Sequence, residues 1–252
     1  MKYLLEGTAR GVLEEFARSN VLLAFDFDGT LAPIVSKPDT AQMRPSTRER
    51  LQQVSRRYPC AVVTGRAQAD ALQRINQVDV WDVIGNHGVE PGSACEEYRA
   101  LTRDWLSELE PVLNAVEGVR LEDKQYSLAV HYRECRNKTA AARLIRARTA
   151  KLRDSRIVPG KLVINVVPRS APDKGAALVA ASERLYCERI LYVGDDVTDE
   201  DAFGCAGPDR LLAVRVGRTT RSKAPYFIRN QREIDALLDV LIQARPGVTE
   251  DA

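Results

Sequence analysis

The chain has 252 residues, of which 44% are hydrophobic and 29% charged, with 15 Gly and 12 Pro. This composition is typical of a soluble globular protein and excludes a disordered, collagen-like or coiled-coil chain. Because 37 basic and 35 acidic side chains leave a formal net charge of +2, no overall charge favours nucleic acid or an anionic membrane.

The cysteines and the first residues predict a cytoplasmic protein. Glu6 and Arg10 interrupt the short apolar start MKYLL before a signal-peptide core would form, and no window approaches the length of a membrane span. The cysteines form no C-x-x-C pair, which favours reduced thiols over disulfides or a zinc site. They are Cys60, Cys95, Cys135, Cys187 and Cys205.

Helices alternate with short apolar strands over the first ninety residues and again from residue 174 to residue 196. Apolar spacing predicts a helix from Leu4 to Ser19, and VLLAF at residues 21–25 is typical of a strand buried on both faces of a parallel sheet. Further helix and strand pairs are predicted at 46–57 and 60–65, at 67–75 and 80–86, and at 174–185 and 189–196. This order predicts an α/β fold with a doubly wound, Rossmann-like parallel sheet.

The middle of the chain has a different pattern. Helix, two strands, helix and two strands predict a small open α+β sheet. The elements are expected at about 98–116, 119–122, 127–133, 138–152, around Ile157 and at 162–167. We therefore expect a second domain at residues 91–169, inserted between 1–90 and 170–252. After Thr220 the chain returns with a strand near Phe227 and a helix from Arg232 to Ala244.

Two aspartates follow the first buried strand, in DFDGT at residues 26–30. Asp26 and Asp28 should emerge at the carboxyl edge of the sheet, where open α/β folds place their ligands. They offer a nucleophile or metal ligand and a second acid beside a tight turn. The plainer alternative is a turn that the two carboxylates merely cap.

Three later segments place polar groups at similar positions. Thr64 ends the strand in VVTGR and can hold a phosphate oxygen at a helix N-terminus, although such a sequence is also an ordinary helix start. Lys174 begins a helix and, taken alone, is a solvated lysine. In YVGDDVTDEDAF, Asp195, Asp196 and Asp199 follow a strand, where acids also cap helices.

Taken together, these groups predict a metal and phosphate site. Asp26, Asp28 and Asp195 supply the hard oxygen ligands that Mg²⁺ prefers. Thr64 and Lys174 supply donors for a phosphate that the metal would share.

The four motifs, in this order, resemble those of haloacid dehalogenase-superfamily phosphohydrolases, and the insertion between the second and third motifs resembles that superfamily's C2B cap. The resemblance extends to the trehalose-6-phosphate phosphatase family over about Val21 to Gly217. It rests on DFDGTLAPIVSKPDTA, VVTGR, GNHGVE, SLAVHYR, PGK and YVGDDVTDEDAF. GNHG and the HYR strand are more specific to this family than the aspartates are.

The resemblance implies a two-step phosphoryl transfer. Asp26 would form an aspartyl-phosphate, while Asp28 protonates the leaving hydroxyl and then activates water. Thr64 and Lys174 would stabilise the charge on the transferring oxygens.

The resemblance also implies a Mg²⁺ site. The ligands would be Asp26, the backbone carbonyl of Asp28 and Asp195. Asp196 and Asp199 would support this set, directly or through water.

Specificity should come from residues around the phosphate and on the cap. A sugar offers hydroxyls that carboxylates, amides and ammonium groups can bind, although each of these side chains taken singly is more often a surface group. The expected substrate contacts are Gly29, Thr30, Gly65, Arg66, Asn86, His87, Glu90, Glu122, Lys124, His131, Arg133, Lys161 and Asn165. Asn165 and Val167 stand where the family usually has a glutamate and an arginine.

The expected activity is Mg²⁺-dependent hydrolysis of trehalose 6-phosphate. The Asn165 and Val167 departures keep a second hypothesis open, a phosphatase of another phosphorylated disaccharide or glycosyl-polyol. A catalytically silent sugar-binding or regulatory module is the third; the presence of nucleophile, acid, lysine and metal aspartate argues against it.

The expected partner is a small sugar phosphate, without nucleic acid, since no basic stripe interleaves with aromatic residues, and without a membrane. The sequence does not set the oligomeric state, and a monomer is consistent with it. Trp81 and Trp105 are expected to pack in the interior. Closure of the cap over the core is expected, with hinges near Gly92 and near residues 168–172.

Overall fold

The computed structural model describes residues 1–76, 78–92 and 95–246, residue 95 by its backbone alone. Its strands are β1 (Lys2–Tyr3), β2 (Val21–Phe25), β3 (Cys60–Val63), β4 (Asp82–Ile84), β5 (Arg120–Asp123), β6 (Leu128–His131), β7 (Ser155–Gly160), β8 (Val163–Pro168), β9 (Arg189–Gly194), β10 (Leu211–Val216) and β11 (Tyr226–Ile228). Its α-helices are α1 (Gly7–Arg18), α2 (Pro45–Ser55), α3 (Gln68–Arg74), α4 (Cys95–Leu113), α5 (Lys138–Thr149), α6 (Lys174–Arg184), α7 (Glu200–Phe203) and α8 (Ile234–Ala244).

The larger sheet has seven strands in the order β1-β11-β10-β9-β2-β3-β4, and every neighbouring pair is parallel. Every residue of β2 is buried, because helices cover both faces of the sheet. Side chains from α1, α2 and α8 share a core with one face, and those from α6 and α7 pack on the other.

The chain changes direction at β2. From β2 the strand order runs to β3 and β4 on one side, and β9, β10 and β11 lie on the other. Ligands of open α/β sheets bind outside the carboxyl ends of the strands at such a switch point. Asp26, Thr64 and Asp195 directly follow β2, β3 and β9, so the fold brings them to one edge.

The smaller sheet has four strands in the order β5-β6-β8-β7, and its pairs are antiparallel. Its apolar face packs on α4 and α5 around Trp105, Ile145 and Ile164. Alternate residues point to the other face, and among these Glu122, Lys124, His131, Val163 and Asn165 line a cleft towards the larger sheet.

Two strands of the larger sheet have no counterpart in the predicted elements. Lys2 and Tyr3 pair with Tyr226 and Phe227, so α1 begins at Gly7 rather than near Leu4. β10, LLAVRV, is almost entirely buried; a run of this length fits a buried strand, but its pattern alone does not distinguish a strand from a short buried helix.

The two tryptophans differ in burial. Trp105 is 1% exposed and its indole donates to the carbonyl of Arg153 at 2.9 Å, as expected of a packing residue. Trp81 is 66% exposed, so the expectation of interior packing is wrong for it. It directly precedes the edge strand β4 of the larger sheet. Among the described residues, no helix combines the length and apolar character needed to cross a bilayer.

Candidate active site

Three buried carboxylates meet at the carboxyl edge of the parallel sheet. One oxygen each of Asp26, Asp195 and Asp199 lie within 4.8 Å of one another, and all three residues are buried. Gly29 makes this possible: a Cβ there would lie 2.3 Å from a carboxylate oxygen of Asp195, and its φ of +88° suits glycine. The glycine thus lets the turn after β2 approach the turn after β9.

A buried lysine joins two of these carboxylates. The ammonium of Lys174, the first residue of α6, donates to Asp26 Oδ1 at 2.8 Å and to Asp199 Oδ1 at 2.7 Å. Asp199 also accepts from the Tyr192 hydroxyl at 2.7 Å and from the backbone N–H of Asp196 at 2.9 Å. Because both oxygens of Asp199 are engaged, this residue holds the lysine and the turn more than it offers a free ligand atom.

The electrostatics of this cluster follow from burial. Desolvation raises the pKa of Asp26 well above its usual value, and the nearby charges of Asp199 and Asp195 raise it further against the opposing charge of Lys174. Burial alone would lower the pKa of Lys174, but its carboxylate partners outweigh it and raise the pKa. The lysine therefore stays charged, and its one ammonium does not offset the burial and mutual repulsion that disfavour the ionised form of Asp26.

This arrangement fits a divalent cation. Among the described residues, Asp26 Oδ2 and Asp195 Oδ1 accept no hydrogen bond from a side chain, and the backbone carbonyl of Asp28 accepts none from the backbone. Hard oxygen atoms on buried, negatively charged residues are the donors that Mg²⁺ and similar cations prefer. A bound cation would relieve the repulsion between these buried carboxylates and favour their ionised form.

Asp28 is held by an arginine. Arg66 Nε donates to Asp28 Oδ2 at 2.6 Å and Arg66 Nη2 to Oδ1 at 2.7 Å, and Arg66 Nη1 reaches Asp70 at 2.8 Å. Asp70 in turn pairs with Arg74. Such a fork fixes both the place and the plane of a carboxylate. Arg66, expected as a substrate contact, thus has a protein partner at the site.

Asp26 and Asp28 open onto a cleft of about 330 Å³ between the two sheets. Of the thirteen expected substrate contacts, nine line it: Gly65, Arg66, His87, Glu122, Lys124, His131, Arg133, Lys161 and Asn165. Asp26, Asp28, Thr64, Lys174, Asp195 and Asp196 line it as well. The cleft therefore joins most of the residues that the sequence singled out at both sheets.

The remaining four expected contacts lie behind the lining. The backbone N–H groups of Gly29 and Thr30 donate to the carbonyls of Ala32 and Phe27, so they have partners already. Asn86 donates to Glu90 and to the carbonyl of Lys124 and accepts from Ser127 at 2.6 Å. This network ties the loop after β4 to the turn between β5 and β6.

Sequence reasoning missed several residues of the lining. Ile34, Val35, Pro38 and Asp39 belong to the segment that directly follows DFDGT; the long first motif DFDGTLAPIVSKPDTA contains them, but they were not singled out as contacts. Asp70 lies four residues after Arg66, a spacing visible in the sequence, but Arg66 precedes α3, so helical periodicity does not predict this pair.

Side chains of the smaller sheet reach across the cleft to the larger one. The ammonium of Lys161 donates to Asp195 Oδ2 at 2.7 Å, and that of Lys124 donates to the carbonyl of Gly65 at 2.9 Å. Burial raises the pKa of Asp195 in spite of Lys161. Burial also lowers the pKa of Lys124.

The cleft face of the smaller sheet carries an acid and histidine pair. His131 Nε2 and Glu122 Oε2 lie 2.6 Å apart on neighbouring strands. The hydrogen bond from His131 lowers the pKa of Glu122 to about 2, against the effect of burial. Asn165 lies one strand further, buried, and donates to the carbonyl of Val158 at 3.3 Å.

His87 is the second histidine of the lining. Burial lowers its pKa well below the usual value, and the charges of Lys124 and Lys174 lower it further. Neither ring nitrogen has a hydrogen-bond partner among the described residues. The ring packs on Gly65, where a Cβ would lie 2.4 Å from it. A neutral imidazole thus stands between two lysines.

The sequence matches a known family over most of its length. A family model described as Trehalose-phosphatase matches residues 24–231. The trehalose-phosphate phosphatase of Mycobacterium bovis (strain BCG / Pasteur 1173P2) is 34% identical over 215 residues, which are 79% of this chain and 55% of that protein. The chain spans about half the length of the curated relatives it matches.

Solved structures share the fold. The C-terminal domain of the C. albicans trehalose-6-phosphate phosphatase has a TM-score of 0.72 at 21% identity, covering 93% of this chain and 96% of that one. A phosphatase of the haloalkanoate (HAD) enzyme superfamily from Bacteroides thetaiotaomicron has a TM-score of 0.56 at 16% identity, covering 90% and 96%. The expected fold, a haloacid dehalogenase-like parallel sheet with flanking helices, is therefore confirmed, and the separate antiparallel sheet fits a cap.

Proposed function

The chain belongs to the trehalose-phosphatase family, and from that membership we propose that it hydrolyses trehalose 6-phosphate to trehalose and inorganic phosphate. The observation that carries the proposal is the cluster of Asp26, Asp195 and Asp199 around Lys174 at the floor of a polar cleft. A phosphate monoester fits such a floor, where an anionic nucleophile, a lysine and room for a cation lie together.

Asp26 is the nucleophile in this proposal. Its carboxylate attacks phosphorus, an aspartyl-phosphate forms, and the bond from phosphorus to the sugar oxygen breaks. Asp28 gives a proton to the departing oxygen; for this step one of its two oxygens is protonated and no longer accepts from Arg66. It then takes a proton from the water that attacks the aspartyl-phosphate and releases inorganic phosphate. Asp26 and Asp28 thus divide these roles between them, and both line the cleft.

Mg²⁺ is the cation we propose, held by Asp26, the backbone carbonyl of Asp28 and Asp195. When bound, it supplies positive charge that neutralises the phosphate oxygens. Asp199 supports the site by accepting a hydrogen bond from Lys174. Asp196 and Asp199 cap the turn reciprocally, each side chain accepting from the other's backbone N–H.

Thr64 and Lys174 bind the phosphate oxygens in this proposal. Thr64 is buried, and its hydroxyl accepts from the backbone N–H of Arg66 at 3.2 Å, which leaves the hydroxyl proton for a phosphate oxygen. Lys174 keeps its charge because its pKa is raised.

Residues 91–169 act as a C2B-type cap in this proposal, and 1–90 with 170–252 form the catalytic core. The sugar lies under the cap sheet, within reach of the polar side chains that this sheet contributes to the lining. These are Glu122, Lys124, His131, Arg133, Lys161 and Asn165. Closure about hinges near Gly92 and residues 168–172 excludes water from the first step.

Asn165 favours a second candidate, hydrolysis of another sugar phosphate by the same chemistry. It lies in the cleft lining as a buried amide. An amide donates as well as accepts and makes weaker contacts to hydroxyls than a carboxylate does. A phosphorylated disaccharide or glycosyl-polyol that offers an acceptor at this point would fit it.

Phosphate release from a substrate panel tests both candidates. The panel contains trehalose 6-phosphate, sucrose 6-phosphate, glucose 6-phosphate and a glycosylglycerol phosphate, each with Mg²⁺, with Asp26→Asn as the matched variant. Because enzymes accelerate such hydrolysis by up to ~10²¹-fold, Asp26→Asn should show no measurable turnover. If another ester of the panel is hydrolysed faster than trehalose 6-phosphate, the second candidate is supported. If no ester releases phosphate, both candidates are contradicted.

A further inference from the structure

Arg215 reaches the turn after β9 from outside the cleft. It lies on β10, the neighbour of β9 in the parallel sheet, and its side chain is 14% exposed. Its Nη2 donates to the backbone carbonyl of Asp195 at 2.6 Å and its Nη1 to that of Asp196 at 3.1 Å. One guanidinium thus holds two consecutive peptide groups of the acidic turn, residues 195–199.

Arg215 differs from the other cations at this turn. Lys174 donates to Asp26 and Asp199, and Lys161 donates to Asp195, in each case through a carboxylate oxygen. Arg215 binds backbone carbonyls and leaves every carboxylate oxygen of the turn to other partners. Arg215 therefore fixes the position of the Asp195 backbone without occupying a carboxylate oxygen that a metal would bind.

Glu200 balances the charge of Arg215. Its Oε1 accepts from Arg215 Nη1 at 3.0 Å, and its Oε2 accepts from the backbone N–H of Lys223 at 2.7 Å. The side chain of Glu200 is 18% exposed, so the pair is largely shielded from water. Because the pair is neutral as a unit, Arg215 adds little repulsion to a cation at Asp195.

We propose that Arg215 is a positioning residue for the metal site, acting through the backbone of Asp195 and Asp196. A guanidinium presents several N–H groups in one rigid plane, whereas an ammonium is a compact point charge. Lysine at this position would hold one carbonyl and release the other. The inference rests on the proposed function only in that a divalent cation binds at Asp26 and Asp195.

Binding of Mn²⁺ to the full chain, measured by calorimetry without substrate, tests the proposal. Outer partners of metal ligands change affinity by about 10- to 100-fold, so we expect Arg215→Met to raise the Kd by such a factor. Arg215→Lys should fall between this variant and the wild type. The control is Arg210→Met, which removes an arginine just before β10 that contacts Ser182 and should keep the wild-type Kd.

The outcomes separate this role from simple stabilisation. A wild-type Kd in Arg215→Met, with only a lower Tm, overturns the proposal. If Arg215→Met does not fold, Arg215→Lys and Glu200→Gln replace it, and a wild-type Kd in both overturns the proposal equally. A wild type that binds no Mn²⁺ overturns it together with the metal site. If Arg215→Met binds Mn²⁺ more weakly but the wild type cleaves no sugar phosphate, the positioning role of Arg215 is supported and only the proposed function is contradicted.

Discussion

The ammonium of Lys174 lies 2.8 Å from Asp26 Oδ1, and both side chains are buried. The same ammonium lies 2.7 Å from Asp199 Oδ1. Lys174 is therefore the shared counter-charge of two buried carboxylates that come from different parts of the chain.

Replacing Lys174 by Met should destabilise the protein strongly. Removing one partner of a buried ion pair leaves an uncompensated charge and costs about 3–5 kcal/mol. We expect a loss of this order in the free energy of unfolding, measured with urea. Added Mn²⁺ should restore part of it, because a cation at the cluster replaces the missing charge. Lys151→Met, which removes an exposed lysine, is the control. Equal stability of the two variants would contradict the role assigned to Lys174.

The floor of this site could be predicted from the sequence because its polar residues directly follow strands. Asp26, Thr64 and Asp195 each follow a strand of the parallel sheet, and the carboxyl ends of such strands meet at one edge. The direction of each strand and the order of strands at the switch point are enough to bring them together. The expected fold class is confirmed for the same reason, since helix and strand alternate regularly outside the insertion.

Contacts across the fold were beyond sequence reasoning. The pairing of Arg66 with Asp28 joins residues 38 positions apart, and Arg215 belongs to a strand that pattern alone did not identify. Asn86 and Glu90 were expected at the substrate, yet they bind each other and the backbone nearby. Polar residues in a loop look alike in sequence whether they face a cleft or support it.

The pair of Glu122 and His131 predicts a dependence of stability on pH. The folded pKa of Glu122 is lowered to about 2, so the pair stabilises the fold above the ordinary glutamate range and loses its effect as pH falls towards 2. Because the Glu122 side chain is 38% exposed, the contribution should stay below about 1 kcal/mol.

Unfolding of the wild type and Glu122→Gln at several pH values measures this effect. The difference in the free energy of unfolding should be largest near neutral pH and shrink between pH 5 and pH 3, where the unfolded chain takes up the proton first. Glu96→Gln, at an exposed helical acid, should show no such trend. A difference that grows on acidification would have the wrong sign.

Lys161 should weaken metal binding in the absence of substrate. Its ammonium donates to Asp195 Oδ2 at 2.7 Å and so competes with a cation for that carboxylate. The Lys161 side chain is 51% exposed, and exposed ion pairs contribute only about 0.2–1 kcal/mol. Lys161→Met should therefore lower the Kd for Mn²⁺ by no more than about fivefold.

Salt and a matched variant check this prediction. The difference between the wild type and Lys161→Met should decrease at high ionic strength, because salt screens an exposed ammonium. Lys151→Met removes the same charge from an exposed position in the turn after α5 and should leave the Kd unchanged. Weaker Mn²⁺ binding in Lys161→Met would show that the lysine supports the site rather than competing for it.

Arg66 should matter most when the leaving group is poor. It holds both carboxylate oxygens of Asp28, the group proposed to protonate the departing sugar oxygen. General acid catalysis contributes about 10²–10⁴-fold, so a misplaced acid in Arg66→Met should lower kcat/KM for the sugar phosphate by about 10- to 100-fold. p-Nitrophenyl phosphate, whose phenolate leaves without protonation, should lose far less.

Arg74→Met separates the positioning of Asp28 from support of the loop. Arg74 shares Asp70 with Arg66 and donates to the carbonyls of Asp39 and Ala41, but it does not touch Asp28. If the network serves only to hold the loop, Arg66→Met and Arg74→Met should lose equal activity on both substrates. If Arg66 places the acid, only Arg66→Met should discriminate between the two leaving groups, with Arg66→Lys intermediate because an ammonium cannot hold both oxygens in one plane.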